Sequence, residues 1–250
     1  GDHRDLHSFP TRRSSDLTAA RAILRLVEPT SGEVFYRNHN LITLKQNKLR
    51  SLRKEMQIIF QDPLASLNPR KLIKKILEEP FDIHGFSKPK EKEDRVSSLL
   101  KRVGLTPDQA EKYPHEFSGG QLQRIGIARA IALNPSLIIA DEPVSALDVS
   151  IRAQIINLLL DLKESMRISY LFISHDMTIV RHFCDRVAVM YLGKIVEIAD
   201  SASLFSNPRH PYTEALLAAV PSIDLDSKKQ NLKIKGDLPN AIRSEEHTSE

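Results

Sequence analysis

Phe117-Ser118-Gly119-Gly120-Gln121-Leu122-Gln123-Arg124, followed by Leu137-Ile138-Ile139-Ala140-Asp141-Glu142-Pro143 and closing with Ser145-Ala146-Leu147-Asp148, decides how this chain is read. The second block can be argued from its residues alone. Leu137 to Ala140 is a short continuous apolar run, the pattern of a strand buried on both faces of a parallel sheet, and two carboxylates stand at its C-terminal end. Open α/β sheets take their ligands at that end. An acid fixed there can hold Mg²⁺ directly or through water, and a neighbouring acid can orient or polarise a water that attacks a γ-phosphate. Asp141 takes the metal role on this reading and Glu142 the water role. Taken as a dipeptide alone, two acids that end a strand and cap the next helix would look the same.

The first block narrows the choice. Ser118-Gly119-Gly120 immediately precedes a helical pattern in which Leu122, Ile125, Ala128 and Ala132 recur at three- and four-residue steps. A serine and bare backbone amides at a helix N-terminus form an anion site, because unpaired N–H groups and the helix dipole both face the ligand. Glycine lets a phosphate approach the backbone closely. In isolation the same residues are a serine N-cap after a glycine turn.

In this order and spacing, FSGGQLQR, LIIADEP and SALD resemble the signature, Walker B and D-loop segments of the ATP-binding-cassette ATPases. Two further elements lie where that family would put them. The run Tyr170 to Ser174 reads as the next buried strand, after a helix from about 151 to 164, and ends at His175, which resembles the family's γ-phosphate-contacting histidine. Met56 to Phe60 reads as another strand, ending at Gln61, which resembles the Q-loop glutamine that contacts the metal and attacking water. The segment from Asp62 to Arg70, DPLASLNPR, and the block from Asn207 to Leu217, NPRHPYTEALL, resemble the oligopeptide/dipeptide importer branch, which includes nickel and glutathione importers.

The resemblance implies an α/β fold, a P-loop-NTPase-like ABC ATPase core of mainly parallel sheet with flanking helices and an inserted helical subdomain. Residues 18–70 and 135–205 would form the core, 71–134 the helical lobe carrying the signature, and 206–242 an importer-type extension. It implies ATP and Mg²⁺ as cofactors. Glu142, His175 and Gln61 would be catalytic, Asp141 and Gln61 would hold the metal, Ser118, Gly119, Gly120, Gln121 and Asp148 would bind nucleotide across a dimer contact, and Thr18 would be a further nucleotide-binding residue. The implied partners are a second ABC ATPase subunit, two transmembrane permease subunits and, indirectly, an extracytoplasmic solute-binding protein, with no nucleic acid. The implied place is the cytoplasmic face of the cell membrane, held peripherally. A cassette ATPase acting on DNA or ribosomes, or a catalytically silent partner subunit, would share many of these motifs.

One family motif is missing: the chain contains no G-x-x-G-x-G-K-[ST] phosphate loop. The helix starting at Thr18 resembles the one that follows that loop, which aligns Thr18 with its last position, Leu17 with the metal-binding hydroxyl and Asp16 with the lysine. Residues 1–17 and 243–250 continue no cassette pattern and resemble translated sequencing-adapter tails, so the N-terminal strands and phosphate loop are expected to be cut away. Each charge-assisted phosphate contact is worth about 1.5–3 kcal/mol, so the chain as written is expected not to bind Mg-ATP tightly by itself. Tight binding in calorimetry would contradict this.

Composition agrees. The 250 residues are 27% charged and 41% hydrophobic, ordinary for a globular chain, and the formal net charge is +4. Acids and bases intermingle, as in Lys88 to Asp94, which is the pattern of a solvated surface and not of a nucleic-acid patch. No apolar stretch approaches the roughly 20 residues of a membrane span. Cys184 is the single cysteine, which excludes an intrachain disulfide. Upstream, 18–27 reads as a helix and 33–36 as a strand. Helices are expected over 72–79 and 93–103, and a hairpin over 186–198 across Leu192-Gly193-Lys194.

Overall fold

A computed structural model describes residues 19–85 and 88–219. Thr18, Gly236 to Ile242 and both terminal tails lie outside the described residues.

The site is built on three parallel strands in the order β3-β4-β5: β3 is Met56–Ile59, β4 Leu137–Asp141 and β5 Ser169–Ile173. Ile139 sits opposite Ile58 on one side and Leu171 on the other. Ile138, Ile139 and Ala140 are all fully buried, so both faces of β4 are covered and its unbroken apolar run is explained. Between β4 and β5 the chain crosses over through a long helix, Val149–Met166, which buries Ile155, Ile156, Leu159 and Leu162. It stops at Arg167, whose left-handed φ of +55° breaks the helical path.

Ahead of β3, residues 19–23 form a helical turn (α1), strands β1 (Phe35–Tyr36) and β2 (His39–Asn40) form a small antiparallel pair, and α2 runs Gln46–Leu52. Both early expectations were too long. The helix ends by Arg25, which has φ +49° and donates Nη1 to Leu44 O at 2.7 Å, while Arg53 holds the Leu24 and Arg25 carbonyls at 3.2 and 2.8 Å. The left-handed Arg25 thus ends the helix, with Leu26 N–H turning back to Arg21 O at 2.8 Å, and the distant Arg53 takes the carbonyls released there.

Between β3 and β4 lie α3 (Pro63–Ser66), α4 (Ile73–Ile83), α5 (Pro89–Arg102) and α6 (Gly119–Ile131). Ile73, Ile76, Leu77 and Phe81 of α4 meet Val96, Leu99 and Leu100 of α5 in the main core, at helical spacing. The α4 helix continues past the predicted stop at Glu79, carrying Pro80 inside it; His84 N–H still bonds Pro80 O at 3.3 Å. Meanwhile α5 starts four residues early because Pro89 occupies the first helical turn, where its missing N–H costs nothing. Little of α6 is exposed: Leu122, Gln123 and every residue from Ile125 to Ala128 are buried.

The Val149–Met166 crossover helix is α7, and after β5 come α8 (Met177–Phe183), β6 (Arg186–Tyr191), β7 (Lys194–Asp200), α9 (Ser201–Ser206) and α10 (Pro211–Ala218). Leu192 and Gly193, at φ +48° and +76°, make the tight hairpin turn, and Lys194 is already in the strand. Expected as a buried strand, β5 is instead an edge among the described residues, with Leu171 38% exposed. A cavity of about 1260 Å³ opens between β5 and β6, walled by Phe172, Met177 and Val187. No helix of the described residues is long and apolar enough to cross a membrane.

Burial pushes the Cys184 thiol up to about 11. An unfolded thiol ionises near 8.5, so between those values the unfolded chain sheds a proton the folded one keeps, and stability falls as pH rises through that window. At pH 8 the native thiol should react with an aromatic disulfide far more slowly than the urea-unfolded chain; equal rates would contradict its burial.

Candidate functional site

The three strands end together, and the residue types that follow them converge. Ile59 pairs with Ala140, and Asp141 with Ile173, so the segments just past β3, β4 and β5 share one edge of the sheet. Gln61 stands two residues beyond β3, Glu142 one beyond β4 and His175 two beyond β5.

Asp141 closes β4 and is only 4% exposed. The chain then turns at Glu142, whose φ of +43° is a left-handed conformation costing a non-glycine residue about 1–3 kcal/mol. Glu142 N–H donates to Ile173 O at 3.0 Å, while Ser145 donates to Glu142 O from its N–H (3.2 Å) and its Oγ (3.1 Å). Those bonds fix the turn and leave the carboxylate to be shared: Gln61 Nε2 donates to Oε2 at 2.9 Å, and His175 Nδ1 meets Oε1 at 2.9 Å. An ionised carboxylate only accepts, so Nδ1 carries the hydrogen in this arrangement. Gln61 Nε2 also reaches Ser145 Oγ at 3.2 Å. The Glu142 side chain is 14% exposed and the His175 side chain 67%, so the carboxylate is sheltered behind a ring that solvent reaches. Asp176 then starts α8, its Oδ1 accepting from Thr178 and Ile179 N–H, which places His175 in a short, pinned link.

The glycine turn stands apart from this cluster. Ser118 and Gln121 form a capping box, Ser118 Oγ accepting from Gln121 N–H at 3.4 Å and Gln121 Oε1 from Ser118 N–H at 3.0 Å. The box leaves the first amides of α6, on Gly119 and Gly120, without helical partners. Ser118 and Gly119 are exposed. No hydrogen bond among the described residues joins this turn to Gln61, Glu142 or His175. Asp148 is the exposed N-cap residue of α7 and makes no side-chain cap bond.

The two glycines have different surroundings. A Cβ on Gly119 would lie 3.7 Å from Leu147, ordinary contact, whereas one on Gly120 would fall 2.6 Å from Ile151 Cγ2. Gly119→Ala should therefore fold at least as stably as the parent, alanine gaining up to about 1 kcal/mol in a helix. Gly120→Ala should lose about 1–3 kcal/mol by overpacking. Urea unfolding of the pair checks this, and equal midpoints would contradict the contact.

Among the described residues no group of three or more His, Cys, Asp or Glu could hold a metal ion. One or two protein oxygens, with phosphates and water completing the shell, are what Mg²⁺ takes and not what Zn²⁺ takes, so for a nucleotide-bound Mg²⁺ the expected protein ligands would be Asp141 and the Gln61 amide.

Arg152 gave no sequence signal. Its Nε donates to Leu147 O at 2.7 Å and its Nη2 to Ser145 O at 3.4 Å, holding the 145–148 loop against α7. Only its spacing from the loop could have pointed to it.

Comparison with known proteins follows the same lines. Residues 18–145 match the family model "ABC transporter", and residues 196–246 match "Oligopeptide/dipeptide transporter, C-terminal region". The chain is 54% identical over 226 residues to the oligopeptide transport ATP-binding protein AppF of Bacillus subtilis (strain 168), covering 89% of this chain and 69% of that protein. It is 55% identical over 230 residues to the glutathione import ATP-binding protein GsiA of Escherichia coli (strain K12), covering 92% of this chain but only 37% of that protein. Among solved structures, a dimeric ATP-binding cassette in a post-hydrolysis state bound to ADP and Pi superposes with a TM-score of 0.66 at 31% identity, covering 74% of this chain and 80% of that one. CbiO1 of Clostridium perfringens, part of the ABC transporter complex cbiONQ, gives 0.67 at 27% identity, covering 77% and 75%.

Proposed function

Since the chain belongs to the ABC transporter family, we propose that it is the ATP-binding, ATP-hydrolysing subunit of a bacterial importer for peptides or related small solutes, coupling hydrolysis to transmembrane transport. The observation that carries the reading is the convergence of Gln61 and His175 on the two oxygens of Glu142, at the C-terminal end of a parallel sheet. The relatives named for oligopeptide transport and glutathione import, and the matching C-terminal region, support the solute class.

In this mechanism Glu142 orients the water that attacks the γ-phosphate and accepts its proton. Gln61 and His175 hold the carboxylate until substrate arrives, and His175, the exposed member, then turns to the γ-phosphate. Asp141 and Gln61 would hold Mg²⁺, which when bound would supply charge neutralisation on the phosphate oxygens. Ser118, Gly119 and Gly120 of a second subunit present backbone amides to the same phosphates from the other side, with Asp148 at the contact. Residues 18–70 and 135–205 serve as the core, 71–134 as the helical lobe and 206–242 as the importer-type extension. Two membrane permease subunits and a solute-binding protein complete the assembly, on the cytoplasmic face of the membrane.

The test supplies a phosphate loop: a segment carrying G-x-x-G-x-G-K-[ST] is joined ahead of residue 19. The joined protein should hydrolyse ATP with Mg²⁺ and fall to background with a chelator. Hydrolysis undiminished by chelation would contradict the metal assignment, and no hydrolysis despite measured ATP binding would contradict the proposal.

A further inference from the structure

The Arg129 guanidinium is committed to a place that an arginine in the last turn of a helix does not ordinarily seek. Such a residue usually extends to solvent, where it complements the helix dipole. Here Nη1 donates to Ser66 O at 2.6 Å and Nη2 to Ser66 Oγ at 3.2 Å. Burial lowers the pKa of this guanidinium, with Glu79 opposing the shift. The two donors grip one residue, Ser66, at the end of α3.

α3 is a small, internally pinned unit. Asp62 Oδ1 accepts from Ala65 N–H at 3.1 Å, Ser66 Oγ donates to Pro63 O at 2.9 Å, and Leu67 is buried just beyond it. Gln61 directly precedes its cap residue, and Gln61 is the group that holds Glu142 Oε2. At its other end α6 begins with the Ser118-Gly119-Gly120 turn. From Gly119 to Arg129 a helix rises about 15 Å, so one rigid rod carries the glycine turn at one end and the grip on the Gln61 segment at the other.

We propose that Arg129 is a positioning residue: by gripping the Ser66 carbonyl and hydroxyl it makes α3 follow α6, so that displacement of the glycine turn is transmitted to Gln61 and hence to the Glu142 carboxylate. The inference rests on the catalytic reading of Gln61 and Glu142 given above. It assigns the linkage to a bidentate contact, which lysine cannot reproduce because its ammonium is a point donor without the planar fork.

The test combines hydrogen exchange on the full chain with kinetics on the phosphate-loop-bearing protein. Arg129→Met should accelerate exchange of the Ala65 and Leu67 amides at least tenfold while leaving Ile139 in β4 and Ile155 in the crossover helix at parental rates. It should lower kcat about tenfold or more with KM for ATP changed less than twofold, as expected when an interaction acts through the transition state and not through binding. Arg129→Lys, which keeps the charge and guards against misfolding, should recover only part of the loss, and Ser66→Ala, which removes the hydroxyl but leaves the carbonyl, should give an intermediate effect. Parental exchange and kcat in Arg129→Met would overturn the proposal, as would a rise in exchange shared equally by β4, which would mark a merely structural arginine. Full recovery by lysine would overturn the bidentate linkage. If the parent protein is insensitive to loss of Glu142, the catalytic reading itself has failed; if the parent is sensitive and Arg129→Met is silent, only the linkage has.

Discussion

Replacing Glu142 by glutamine in the phosphate-loop-bearing protein should lower ATP turnover about 10²–10⁴-fold, the usual contribution of a positioned general base, while ATP binding stays within a few-fold of the parent. The change is nearly isosteric. A glutamine Oε1 can still accept from Gln61 Nε2, so the bond now at 2.9 Å survives. What is lost is the acceptor that His175 Nδ1–H now meets and, on the proposed mechanism, the negative charge that polarises water and accepts its proton. The left-handed turn at Glu142 is held by backbone bonds to Ile173 and Ser145, which the substitution leaves alone, so urea unfolding should report an intact fold. A single-turnover measurement with bound ATP separates the chemical step from binding. Unchanged turnover would remove Glu142 from the mechanism.

The convergence that makes this possible was legible in part. Three short apolar runs each followed by a polar residue, ending at Gln61, Glu142 and His175, could be read directly, because buried parallel strands carry their signal in continuous hydrophobicity. Their meeting depends on register, Ile59 against Ala140 and Asp141 against Ile173, and register between strands this far apart in the chain leaves no mark in local sequence. The capping box of Ser118 and Gln121 was within reach as a serine followed three residues later by glutamine. The left-handed backbone of Glu142 was not, since no glycine or asparagine announces it and the turn is enforced by bonds to β5 and Ser145. The exposed edge of β5 was equally hidden: its residues read as those of a buried strand, and exposure depends on which neighbours lie beside it. Arg129 and Ser66, 63 residues apart, have nothing in their local patterns to pair them.

Ser118→Arg should be nearly as damaging as loss of Glu142. Ser118 is exposed at the head of α6, and on the proposed function its hydroxyl and the Gly119 and Gly120 amides would form the half-site offered to the partner's phosphates. An arginine there cannot accept from Gln121 N–H, so the capping box loses one of its two bonds, and its bulk occupies the space a phosphate needs to reach the backbone. Loss of a preorganised donor set of this kind costs about 10²–10³-fold in turnover. Because the turn shares no hydrogen bond with Gln61, Glu142 or His175 among the described residues, Ser118→Arg should leave the Cys184 labelling rate and the exchange of β4 amides at parental values. A general loss of protection would show that the variant had failed as a fold and not as a site.

The central claim is that one subunit's Glu142 works with the other's Ser118. Mixing the Glu142→Gln protein with the Ser118→Arg protein tests it most directly. In a mixed dimer, one site collects both defects and the other has neither, so random pairing of two inactive proteins should restore about a quarter of parental ATPase activity. If each subunit instead used its own Ser118 and Glu142, every site would carry a defect, and a mixture no more active than either protein alone, with dimers shown to exchange, would contradict the account.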